Sequence, residues 1–274
     1  MKIFFTILAN VILASAIAQW TPLNAPDEHY RCVDLYNENT AFLMGRIIVL
    51  KTTNAGFNWV NIEIPEAETY FTDFIVIDEN ISFCTSEHSS NEPSRGVLSR
   101  SLDGGQTWET HLVNSNKSFK KIFFLDENYG WLSAYKALIY KTMDGGETWT
   151  MHQGIPIDNV RDMFFIDQNT GWICGGQYGG IICNTTDGGL TWEIQFFDSS
   201  QENDYIDVEF INEQKGFAGG FDRSFLRTLD GGENWEYIAS KNFEGVLVGL
   251  PNDYVIRDIE FVDENLGWIT GGPC

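Results

Sequence analysis

The sequence predicts an all-β chain, a β-propeller of four-stranded antiparallel blades. Two observations carry that prediction. An Asp-Gly-Gly turn leading into Trp recurs as SLDGGQTW (101–108), TMDGGETW (142–149), TTDGGLTW (185–192) and TLDGGENW (228–235), with a worn copy, TTNAGFNW, at 52–59. The Trp-to-Trp steps are 49, 41, 43 and 43 residues. A second turn keeps step with the first: NENTAF (37–42), DENISF (78–83), DENYGW (126–131), DQNTGW (167–172), NEQKGF (212–217) and DENLGW (263–268). A self-similar unit of about 40–45 residues built from short β-runs is one propeller blade.

Each element of the blade follows in order. Strand a is the run before the second turn, such as KKIFFL, RDMFFI, IDVEFI or RDIEFV. Strand b follows that turn (WLSA, WICGG), and strand c precedes the Asp-Gly-Gly turn (ALIYKT, GIICNT). Strand d opens on Trp. Five blades are complete, and residues 256–272 supply only strands a and b of a sixth before Pro273-Cys274. The run QWTPLNAP (19–26) resembles a strand d such as NWVNIEIP (58–65) and is expected to complete the last blade by closing the ring. That leaves a six-blade ring lacking one strand or a chain that continues past Cys274. The second is favoured, because an unpaired inner edge invites aggregation.

Residues 1–18 read as a secretory signal peptide. One Lys precedes an apolar stretch, and Ala16-Ile17-Ala18 supplies an Ala-x-Ala cleavage site. Residues 19–274 form the propeller, and the expected location is outside the cell, in a periplasm or at the cell surface of a bacterium. No further apolar run is long enough to span a bilayer. The five cysteines (Cys32, Cys84, Cys174, Cys183, Cys274) are odd in number. Cys174 and Cys183 flank one short hairpin and either bridge or stay as buried free thiols. No CxxC or His/Cys cluster suggests zinc, and neither a metal nor a cofactor is expected. Sequons at Asn80, Asn116 and Asn184 matter only if the source glycosylates.

The recurring carboxylates Asp103, Asp144, Asp187 and Asp230 tempt a catalytic reading, but turn chemistry explains them. A short acidic side chain accepts backbone N–H groups just downstream. The glycines after it reach positive φ without steric cost. Trp108, Trp149, Trp192 and Trp235 are then expected to wedge between adjacent blades as apolar anchors. Gly130, Gly171, Gly216 and Gly267, and Trp131, Trp172 and Trp268, are assigned the same repeat-stabilising job.

The S/T-x-D-G-G-x-T-W element resembles the Asp-box, or BNR repeat. That repeat occurs in sialidases, sortilin-type receptors, xyloglucanases and the photosystem II stability/assembly factor family. The pairing of DxxxGW with TxDGGxTW in one blade resembles the last of these, over essentially all of 19–274. The resemblance implies a seven-bladed propeller that binds other proteins without catalysis. It also implies an Arg-rich partner-binding patch, carried over here to Arg31, Arg161 and Arg257.

Loop lengths and charge point the same way. The a–b and c–d turns share one end of each blade and are short and uniform. Length variation falls in the b–c and d–a loops: 86–96, 196–204 and 238–255. Variable loops on a rigid scaffold are where binding concentrates. The formal charge of −22 disfavours nucleic acid. The scarce cations fall at the variable end: Arg46, Arg95, Arg223 and Lys136 in or beside b–c loops, and Arg31, Lys120, Arg161 and Arg257 near the starts of inner strands. They are candidate contacts for a protein, an acidic peptide or a carboxylated glycan. The plainer reading is that they neutralise Asp162, Asp222 and Asp258. A glycoside hydrolase is the enzymatic alternative, but the Arg-Ile-Pro run that precedes the repeats in sialidases is absent. A repeat domain of a larger cell-surface protein is the third reading.

Overall fold

The computed structural model describes residues 25–26, 30–65, 70–88, 95–114, 116–176, 179–199, 204–221, 224–238, 254–263 and 266–273. Residues 1–18, most of the 19–26 run expected to close the ring, Arg223, Cys274 and residues 89–94, 200–203 and 239–253 of the long variable loops lie outside these. No α-helix occurs among the described residues. The fold is all-β, with five four-stranded antiparallel propeller blades and a partial sixth sheet. The strands fall into two compact units, one ending at Phe119 and one starting at Lys120.

The first unit holds two blades. Blade one is β1 (Tyr30–Leu35), β2 (Ala41–Gly45), β3 (Val49–Thr52) and β4 (Val60–Asn61). Blade two is β5 (Tyr70–Val76), β6 (Ser82–His88), β7 (Arg95–Ser101) and β8 (Glu109–Asn114). The second unit holds three blades and a hairpin. Blade three is β9 (Phe119–Phe124, opening on the last residue of the first unit), β10 (Gly130–Ala134), β11 (Leu138–Thr142) and β12 (Thr150–Gln153). Blade four is β13 (Val160–Phe165), β14 (Gly171–Gly176), β15 (Gly180–Thr185) and β16 (Glu193–Asp198). Blade five is β17 (Tyr205–Phe210), β18 (Gly216–Gly220), β19 (Phe225–Thr228) and β20 (Glu236–Tyr237). The sixth sheet is β21 (Tyr254–Asp263) and β22 (Leu266–Pro273). The a-b-c-d order read from the sequence is the order of hydrogen bonding in every complete blade.

Burial falls from strand b outward. Every residue of β10, β14 and β18 is buried, whereas β12 and β20 are largely exposed. A strand covered on both faces reads as a continuous apolar run, and one covered on neither is polar.

The Asp-boxes are hydrogen-bonded knots. In blade three, Asp144 Oδ1 accepts Thr148 N–H at 2.9 Å and Oδ2 accepts Thr148 Oγ1 at 2.6 Å. Thr142 Oγ1 donates to Asp144 Oδ1 at 2.7 Å and accepts the buried Gly146 N–H at 2.9 Å. Asp103, Asp187 and Asp230 repeat the pattern. The hydroxyl and amide of Thr107 hold the Asp103 carboxyl down at about 2. Gly145 stands at φ +70°, with the Glu127 carbonyl 2.8 Å from where a Cβ would lie, so only glycine fits.

The aromatic joints differ from the sequence expectation. The flat contact between blades is made by the strand-b aromatic, not by the Asp-box Trp. Trp131 stacks on Phe165 of the next blade with centroids 3.6 Å apart, and Trp172 stacks on Phe210 at 3.5 Å. Trp131 Nε1 also donates to the Gly188 carbonyl in the next Asp-box, at 2.9 Å. The Asp-box Trp instead meets its own blade's strand-a phenylalanine edge-on, as Trp192 meets Phe165 and Trp235 meets Phe210. One phenylalanine ring thus takes a face-to-face stack from the preceding blade and a T-shaped contact from its own blade. Gly171 is small for a different reason from Gly145: a Cβ there would lie 2.3 Å from Phe165 Cδ1.

The cysteine question resolves toward thiols. Cys32, Cys84, Cys174 and Cys183 are all free. In the β14–β15 ladder Cys174 pairs with Ile182 and Cys183 with Ile173. Cys174 and Cys183 enter different apolar clusters and sit on opposite faces of the sheet.

Candidate functional site

The inner strands share one irregularity, and it positions the cations. Each of β1, β5, β13, β17 and β21 slips register against strand b, at Tyr30/Cys32, Phe71/Asp73, Val160/Asp162, Tyr205/Asp207 and Ile256/Asp258. The skipped residues are Arg31, Thr72, Arg161, Ile206 and Arg257. A β-bulge re-aims the side chain of its extra residue, and here three of five are arginines left exposed. Lys120 holds the matching sequence position in β9 and is half-buried.

In the second unit, Arg161 forms an ion pair with Asp204 at 3.1 Å. Among the described residues no carboxylate pairs with Arg257. Lys136 lies in the tight β10–β11 turn at φ +64°, with Nζ 6.0 Å from the Tyr135 ring. In the first unit, Arg31 is exposed on β1. Arg46, in the β2–β3 turn, lays its guanidinium over the Tyr70 ring at 3.8 Å. Arg95 opens β7 opposite His88. The neutralising partners differ from the sequence reading: the exposed Arg161 takes Asp204, whereas its neighbour Asp162 is buried and takes Lys121.

What sequence reasoning missed is a set of buried carboxylates on the inner strands. Asp162, Asp207 and Glu209 point into the second unit and are buried. Asp162 Oδ1 pairs with Lys121 Nζ at 3.1 Å, and its Oδ2 accepts Val208 N–H of the next inner strand at 3.0 Å. Asp207 Oδ2 accepts Ile259 N–H of β21 at 2.8 Å, and Glu209 Oε1 accepts Phe261 N–H at 3.3 Å. In the first unit, Asp34 Oδ2 likewise accepts Val76 N–H at 2.7 Å. Inner strands of neighbouring blades do not ladder with each other, so these carboxylates satisfy amides that would otherwise be orphaned. Burial, then the nearby Asp162 and Asp258, push the Asp207 carboxyl well above its usual range. Burial and the nearby Glu260 push Glu209 up to about 9. The signal lay in RDMFFI, IDVEFI and RDIEFV, whose Asp recurs at one place in the strand.

Among the described residues no group of His, Cys, Asp and Glu has the geometry of a metal site. Each Asp-box carboxylate accepts an amide and a side-chain donor from its own turn. No helix among the described residues is long and apolar enough to cross a membrane.

Residues 104–193, about a third of the chain, match the family model described as Photosynthesis system II assembly factor YCF48. The chain is an Asp-box propeller that resembles that family. YCF48 from Cyanidioschyzon merolae superposes with a TM-score of 0.67 at 17% identity, covering 93% of this chain and 83% of that one. An ancestral GH74 enzyme gives 0.63 at 18% identity over 81% of this chain and 33% of its own. The GH74 enzyme of Niastella koreensis gives 0.58 at 16%, over 76% and 38%. The chain thus spans about a third of those two enzymes, and at such identities the likeness is one of fold. No curated protein matches the sequence.

Proposed function

We propose that this chain is a non-catalytic binding propeller that captures an acidic segment of another protein through arginines on its inner-strand bulges. The observation that carries the reading is the bulge itself. In each of β1, β13 and β21 it leaves an arginine exposed, Arg31, Arg161 and Arg257, and beside Arg161 the carboxylate of Asp162 is buried. A guanidinium presented in this way can take a carboxylate with two parallel hydrogen bonds. Lys120 and Lys136 of the second unit, and Arg46 and Arg95 of the first, are further candidate contacts; Arg223 lies outside the described residues. The matched family region supports a binder over an enzyme. So does the employment of the carboxylates: Asp103, Asp144, Asp187 and Asp230 are held in Asp-boxes, and Asp162, Asp207 and Glu209 accept backbone amides. In this reading the protein works outside the cytoplasm after removal of residues 1–18, and intact-mass measurement of the exported protein should show Gln19 at its start.

The test is binding of a fluorescent Glu/Asp-rich peptide, with an Arg161→Gln/Arg257→Gln double variant as comparison. Affinity should fall at least tenfold while the melting temperature holds. Equal affinity would remove these arginines from the function. Turnover of xyloglucan or a sialoside by the parent protein would replace the binding reading with hydrolysis.

A further inference from the structure

Among the described residues of the second unit, the β21–β22 hairpin is joined to blade five by a pairing of side chains that the other neighbouring blades do not show. Two acidic side chains of one strand, Asp207 and Glu209, both accept amides of β21. They sit two residues apart on β17, each about nine-tenths buried. Glu209 Oε2 is buried and has no hydrogen-bond partner. We propose that these two side chains form a proton-dependent latch, which holds β21–β22 against β17 while they are carboxylic acids and loosens when they ionise.

The charges around the latch set its direction. Asp162 faces it from β13, Asp258 and Glu260 from β21, and the thiol of Cys174 from β14. Among the described residues Lys121 of β9 is the cation facing Asp207, and Asp162 already engages it at 3.1 Å. Arg161 is turned away and held by Asp204. Each amide bond on its own favours the charged acceptor, but burial beside other carboxylates outweighs it. A carboxylic acid still accepts an amide through its carbonyl oxygen, so protonation keeps the link and removes the repulsion. The orphan Oε2 is where the Glu209 proton would reside.

The sign follows from linkage. A carboxyl that titrates higher in the closed state than in the open one binds a proton on closing. The closed state is therefore fully favoured at pH below the open-state value and loses ground as pH rises through the closed-state value. For Glu209 that window runs from 4.5 to about 9. Within it, opening should increase up to about tenfold per pH unit for each proton released.

Hydrogen exchange of the full chain, read by mass spectrometry between about pH 6 and 9 and corrected for intrinsic rate, tests this. Protection over residues 256–261 should fall with pH, while that over 171–176 stays level. In an Asp207→Asn/Glu209→Gln variant, whose amide oxygens still accept but cannot ionise, protection over 256–261 should be flat. A wild-type segment whose protection is flat, or that falls identically in the variant, overturns the latch. Should the variant not fold, carbon-13 titration of the wild-type side-chain carboxyls decides. Asp207 and Glu209 signals that move only above about pH 6 support the latch, and signals moving at the ordinary 4 to 5 overturn it.

Discussion

Truncating Trp131 tests the joint between blades most directly. Its ring is fully buried, lies 3.6 Å from the Phe165 centroid and donates to Gly188. Removing a buried Trp side chain costs about 3–5 kcal/mol, through lost transfer energy and the cavity left behind. About 0.5–1.5 kcal/mol of that belongs to the ring-on-ring geometry. Trp268 occupies the same place in its repeat, after DENLG, yet is 42% exposed. Among the described residues no next-blade phenylalanine lies flat on it. Trp268→Ala should therefore cost no more than about 1 kcal/mol, in the range of surface changes. The assay is urea denaturation followed by far-UV circular dichroism on Trp131→Ala, Trp268→Ala and Trp131→Phe. The Phe variant keeps an aromatic face but loses the indole N–H, and should fall between the other two. Equal costs for the two Ala variants would refute the argument, because they would show that the tryptophan stabilises its own turn rather than the contact with the following blade.

Four further outcomes follow. Thr142→Val leaves the buried Gly146 amide without its acceptor and should cost about 1–3 kcal/mol, with Thr142→Ser restoring it, in the same denaturation assay. Gly171→Ala forces a methyl into Phe165 and should lower the melting temperature by several degrees, whereas Gly272→Ala, with open space around it, should not. Asp103 titrates below its usual value, so the stability it lends is present above pH 3.8 and disappears as pH falls through about 2. Thermal melts that do not change over that interval would contradict its place in the Asp-box knot. Cys174 and Cys183 should resist alkylation at about pH 8 in the native protein, since burial pushes both thiols up, Cys183 to about 12. Both should label after unfolding without reductant, and a failure to label then would reveal a bridge.

The blades, their strand order and their turns were legible in the sequence because they rest on local chemistry. A Thr or Ser, an Asp, two glycines and a second Thr or Asn make their knot within seven residues, whatever surrounds it. The joints were less legible, because they depend on which face of a strand meets its neighbour. Trp131 and Trp149 are equally prominent in the sequence, and only the packed structure gives the first the flat contact and the second the edge. The bulges hid the inner carboxylates in the same way. Simple alternation puts Arg161 and Asp162 on opposite faces but does not show which faces solvent. The extra residue resolves this by leaving the arginine exposed and the aspartate committed to Lys121 and the Val208 amide. Cys174 and Cys183 look like partners on a hairpin until register sets them back to back.

The stacked ring pair has an evolutionary corollary. Blade four carries both the plug, Trp172, and the socket, Phe165, and receives its neighbour's plug exactly as it inserts its own into Phe210. A duplicated gene segment encoding one such unit brings matching halves with it, so no adjoining residue needs to change for the copy to dock. Lineages built on this repeat can lengthen or shorten by whole units while their exposed loops diverge freely.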